Sequence, residues 1–254
     1  MLLCTEEPQR WLPHASVQAV SYAGGRTDPK RIRRKLVAAI IDWGRAHVTE
    51  AGIVTVGHSN HTLERFLGLL ARHRVTAVAD VRSAPYSRFR PHFNRKALEA
   101  SLDARGIRYA FFGRELGGRP DDLACYERGR VDYERVAATR GFRDGVARVI
   151  DAASRYRMAI MCAEKEPLDC HRTLLVARAL DAAGVAVEHI LADGALETHG
   201  RTMDRLLAAF DLNQDCDLFR RREELVADAI ALQARRVAYV RRGASTTTAG
   251  GRSR

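Results

Sequence analysis

The chain has 254 residues, 46% of them apolar, and a formal net charge of +11. That is enough apolar material for one sizeable domain with appendages, and it argues against global disorder. No apolar run reaches the roughly 18–20 residues that a membrane-spanning helix needs.

Acids near the start, where a secretory leader would carry basic residues, give the expectation of a cytoplasmic protein with reduced thiols. The cysteines at 4, 125, 162, 170 and 216 are too unevenly spaced for a disulfide framework. The positive charge is concentrated at the ends. Residues 1–51 carry eight Lys/Arg against five Asp/Glu, residues 235–254 carry six arginines and no acid, and residues 52–234 carry 28 against 26. Basic ends raise affinity for polyanions without defining a site.

In chain order, residues 1–51 form an N-terminal extension with a basic amphipathic helix candidate at 28–47. "GIVTVG" (52–57) reads as a buried strand, and the helix after it has Thr62 or Asn60 as its N-cap. "TAVADV" (76–81) is a second strand, followed by the loop "RSAPYSRFRPHF". A helix capped by Asn94 then runs to Gly106, and "IRYAFF" (107–112) is a third strand. After a long loop rich in glycine and charge, one or two helices cover 132–155, broken near Gly141. "RMAIMC" (157–162) is the fourth strand, 170–183 its helix, and "VAVEHIL" (185–191) the fifth. Helices follow over 201–240, then a disordered basic tail over 241–254.

Strands alternating with helices imply βαβ units. The fold expected over 52–200 is therefore a single Rossmann-like α/β domain, with a roughly five-stranded, mainly parallel sheet flanked by helices. Ligands of such sheets bind beyond the carboxyl ends of the strands. Residues 57–60, 82–83, 113–115, 162–164 and 170–172 are expected to gather there, on one rim.

The polar residues at those ends define the candidate site. Cys170 opens a helix, where unpaired N–H groups and the dipole stabilise a thiolate. Cys162 ends the preceding strand. Catalytic candidates are Cys162, Glu164, Cys170 and His58, with Glu164 and His58 as proton carriers. Substrate-binding candidates are Ser59, Asn60, Arg82, Ser83, Glu115, His171 and Arg172, of which Arg82 and Arg172 suit an anionic group.

A divalent metal ion is a candidate cofactor, with Cys162 and Cys170 as ligands. Against it, the C-x₇-C spacing differs from common structural zinc sites, and neighbouring Cys170 and His171 would diverge on a regular helix. A phosphatase loop is a weaker candidate still, because no arginine follows either cysteine at the C-x₅-R spacing. The blander alternative makes Cys162 a buried apolar residue and Cys170 an adventitious cap. In "RSAPYSRFRPHFNRK" (82–96), basic residues alternate with Tyr86, Phe89 and Phe93 and no acid intervenes, a composition that suits phosphates and stacked bases.

The G-H-S-N turn, the D-V-R end of strand two, the E-L-G-G loop and the C-A-E…C-H-R segment occur here in one order over roughly residues 52–200. In these segments the chain resembles domain of unknown function family 488. The resemblance implies a compact α/β fold and supplies no reaction. From the residue types, the expectation is an enzyme acting on a phosphate-bearing substrate, a nucleotide or nucleic acid. The rival is a non-catalytic nucleic-acid-binding module with structural cysteines.

Overall fold

The computed structural model describes residues 52–212 and 220–241. The helix expected at 28–47 and the tail beyond 241 lie outside the described residues, as do Cys4 and Cys216.

Short apolar runs make the sheet. β1 (Ile53–Gly57) and β6 (Met158–Cys162) are buried along their whole length, as strands covered on both faces must be. With β2 (Ala77–Asp80), β3 (Arg108–Phe111) and β7 (Val187–Ile190) they form a parallel sheet, and β8 (Leu196–Thr198) adds an antiparallel edge. The spatial order is β3-β2-β6-β1-β7-β8. The sheet has six strands where five are legible in sequence; the additional one is the short, largely exposed β8. A separate two-stranded hairpin pairs β4 (Tyr126–Glu127) with β5 (Arg130–Val131).

Alternation along the strands builds two cores, one on each face. On one side Val54, Val56 and Met161 meet Phe66 and Leu70 of α1 (Leu63–Arg72) and Leu98 and Leu102 of α2 (Arg95–Asp103). On the other, Ile53, Ile160 and Cys162 meet Val149 of α4 (Arg140–Ala153) and Leu174. They also meet Leu206 of α6 (His199–Ala209) and Ile230 of α7 (Arg222–Val237). α3 (Tyr133–Ala138) ends at Thr139, whose hydroxyl caps α4 by accepting from Phe142 N, so the break precedes Gly141.

The chain leaves β1 by α1 on one face. It leaves β6 on the other, through π-helical turns at Arg172–Ala177 that run into α5 (Arg178–Ala182). No helix among the described residues is long and apolar enough to cross a membrane.

Candidate active site

The register of the parallel sheet sets the first half of the site. Gly57 of β1 lies beside Cys162 of β6, and His58 N and Ser59 N donate to the carbonyls of Cys162 and Ala163. A side chain at 57 would put its Cβ 1.8 Å from Glu164 O, so only glycine lets the β6 loop lie this close.

The loop then makes a 3₁₀ turn at Pro167–Asp169 and enters the π-helical segment through Cys170. The Cys170 carbonyl accepts from Thr173 N and Leu174 N, and its sulfur accepts from Arg172 N at 3.5 Å. Arg172 is wholly buried and turned inward. It donates from Nη1 to Glu164 O at 2.6 Å, from Nη2 to Lys165 O at 3.2 Å and from Nε to Thr55 Oγ1 at 3.4 Å. It ties the loop after β6 to β1.

His171 sits between the two sulfurs. Its Nδ1 lies 3.7 Å from Cys162 Sγ and 3.9 Å from Cys170 Sγ, and its Nε2 lies 3.0 Å from Val81 O. A carbonyl only accepts, so Nε2 carries a proton and Nδ1 is the ring nitrogen turned to the thiols. The ligand atoms of Cys162, Cys170 and His171 all lie within 4.8 Å of one another, a donor set of two sulfurs and one nitrogen that could hold a metal ion.

The two thiols are driven apart electrostatically. Burial opposes ionisation of Cys170, but the hydrogen bond from Cys162 and the charges of Arg172 and His171 outweigh it, leaving Cys170 well below the ordinary thiol range. The same hydrogen bond, with burial, pushes Cys162 well above that range.

Both sulfurs face a cavity of about 280 Å³, walled by Arg82, Ser83, Gly118, Tyr133, Glu164 and His171 among others. Burial raises Glu164, and the charge of Cys170 adds to that.

Residues 62–179 match the family model described as Domain of unknown function DUF488. Over those residues the chain is DUF488-like. The match begins at the α1 N-cap and runs past His171, so it spans every cavity residue just named. No curated protein and no solved structure matched the chain.

The remaining residues expected at the site separate into wall and support. Arg82 lies in the wall, but its charge is met by buried Asp80, which accepts from Nε at 2.9 Å and Nη2 at 2.6 Å. Its Nη1 donates to His58 Nε2 at 3.2 Å, and His58 stacks on Phe93 with ring centroids 4.3 Å apart. Burial first, then the Arg82 charge, lowers His58 to about 4. His58 is therefore neutral at pH 7, and it sits behind Arg82 rather than in the wall.

Ser83 accepts from Arg119 N at 2.9 Å and so fixes the glycine-rich loop. Ser59, at φ 47°, and exposed Asn60 form the turn after β1, outside the cavity lining. Glu115 faces α4, where Arg148 Nη1 donates to it at 2.9 Å. His199 pairs with His189 at 3.1 Å in the protein interior, outside the cavity lining.

The wall residues that were not among the expected ones include Tyr133, Asp169, Gly118 and Arg119. Tyr133 begins a short helix and reads as ordinary core. Burial raises its hydroxyl, and the charges of Cys170 and Cys162 add to that. Asp169 is anchored by Gln233 of α7, a contact between distant segments that the sequence does not advertise. Gly118 carried a legible signal, as the last residue of E-L-G-G. A Cβ there would lie 2.8 Å from His171 Cγ, so the missing side chain is what lets the loop lie against the imidazole.

Proposed function

We propose that this DUF488-like domain is a cysteine-dependent enzyme acting on a phosphate-bearing substrate, a nucleotide or nucleic acid. The observation that carries this reading is the pair of sulfurs lining one cavity, with His171 Nδ1 between them and Arg172 N donating to Cys170 Sγ; these surroundings favour ionisation of Cys170 over Cys162.

In the proposed reaction, Cys170 Sγ attacks an electrophilic carbon or phosphorus of the substrate. The leaving group departs with the bonding electrons and takes a proton from Glu164, a carboxyl that burial biases towards the protonated form. Water then breaks the sulfur–substrate bond. Glu164 recovers its proton from that water, and Cys170 returns as thiolate. Arg172 contributes a buried positive charge and the loop geometry. Among the wall residues, Arg119 is the cation on the solvent side, resting over the Tyr239 ring at 4.6 Å, and it is the group proposed to meet the phosphate.

A second reading rests on the same three side chains. An imidazole whose far N–H is held by a main-chain carbonyl, facing two sulfurs, is also the arrangement of a metal ligand set with its remaining position open to the cavity.

Metal analysis of the purified protein, with iodoacetamide rates followed against pH for wild type, Cys162→Ser and Cys170→Ser, separates the readings. The cysteine enzyme predicts no stoichiometric metal and a Cys170-dependent rate with a midpoint below the ordinary thiol value of about 8.5. Stoichiometric metal that shields both thiols selects the second reading. Thiols that react only after unfolding, with no metal, overturn both and leave the non-catalytic nucleic-acid-binding module.

A further inference from the structure

The segment that runs from the cavity wall at Ala84 to α2 carries exposed aromatic rings that no packing requirement explains. Tyr86 is 72% and Phe89 79% exposed, among the largest exposures of any apolar side chain among the described residues. Burying either would be favourable, and both stand in water.

Their backbone is nonetheless held. Ser87 N donates to Asn94 Oδ1 at 2.6 Å, Ser87 Oγ accepts from Phe89 N and Arg90 N at 3.2 Å each, and Arg95 N donates to Pro85 O at 3.0 Å. Phe93 anchors the segment from below, buried against His58 and Phe66. The rings are thus presented outward by a cross-tied loop.

The cations around them are also available. Arg88 lies over the Phe89 ring at 5.5 Å and Arg95 over Phe111 at 4.6 Å, while Arg90 makes only a 3.4 Å contact to Phe89 O. None of the three pairs with a carboxylate among the described residues, and no acid occurs between residues 82 and 96. Exposed rings beside uncompensated arginines match single-stranded nucleic acid, whose bases stack and whose phosphates are charged. A duplex offers phosphates but keeps its bases inside.

We infer that residues 84–95 bind single-stranded nucleic acid. Tyr86 and Phe89 stack bases, Arg88, Arg90 and Arg95 hold the backbone, and the strand continues to the cavity wall at Arg82–Ala84. This deepens the function proposed above by naming the polymer that carries the phosphates.

The test is fluorescence anisotropy of the full chain with labelled oligodeoxythymidine and oligouridine, using an unlabelled duplex as competitor. Either single strand should bind more tightly than the duplex. Tyr86→Ala/Phe89→Ala leaves the charge unchanged and should weaken single-strand binding about tenfold or more. Phe89→Trp should retain it, and Arg88→Gln should reduce the slope of log K against log salt by about 0.7.

The inference is overturned if the double variant melts like wild type yet binds equally well, or if duplex and single strands bind alike. Either result would place the affinity in the basic ends. If the double variant misfolds, the single variants Tyr86→Ala and Arg88→Gln decide by the same criteria. The assay reads binding with no chemical step, so its result stands whatever the thiols prove to do.

Discussion

His171 is fixed from three sides. Val81 O holds Nε2, the two sulfurs face Nδ1, and Gly118 lies against the ring face. Gly118→Ala would bring a methyl to 2.8 Å from Cγ and 2.9 Å from Nδ1, closer than such contacts allow, and the ring cannot swing away without losing Val81 O. We expect a loss of about 1–3 kcal/mol in stability from the overpacking, and a rise of the Cys170 alkylation midpoint towards the ordinary thiol value. Gly68→Ala is the control. It sits within α1 with open space around its position, so alanine should leave alkylation unchanged and stabilise the helix by about 1 kcal/mol. Melting curves and pH-dependent alkylation of both variants check this pair.

At the scale of elements, the strands were legible because they are buried on both faces and read as short apolar runs between loops. α1 was legible, and of its two candidate caps the structure selects Thr62, which accepts from Arg65 N. β8 was not, because three largely exposed residues pairing with only one neighbour leave no periodic signal. The expected divergence of Cys170 and His171 assumed a regular helix through both. Cys170 is instead extended, at φ −134° and ψ 138°, so the helix begins after it and the two side chains meet at one point. Arg172 was expected to meet an anion. Sequence gives the charge of a side chain but not its direction, and here backbone carbonyls and Thr55 receive it. The gathering of the strand ends was legible for Arg82, Ser83, Cys162, Glu164 and Cys170, all cavity residues. It did not extend to Glu115, which α4 draws away.

At the scale of the whole molecule, stability and the site draw on the same buried polar groups. His58, lowered to about 4 by burial and Arg82, and His189, lowered by burial and the neighbouring His199, are neutral in the fold. Each accepts a proton near pH 6.5 once unfolded. Their contribution is therefore complete above pH 6.5 and is lost as pH falls from there, for His58 down to about 4. Denaturant melts should show stability declining below pH 6.5 by up to about 1.4 kcal/mol per pH unit per histidine. His189→Gln should flatten that slope, and an unchanged slope would contradict the assignment.

The central claim is that one sulfur at the sheet rim is ionised while its neighbour stays protonated, and an ultraviolet thiolate titration of wild type against Cys170→Ser reads it directly. The account predicts one thiolate persisting well below pH 8.5 in wild type and missing in Cys170→Ser, with no second thiolate from Cys162 until well above that pH. A wild-type protein without thiolate absorbance below pH about 8.5, or with absorbance that survives Cys170→Ser, would contradict it.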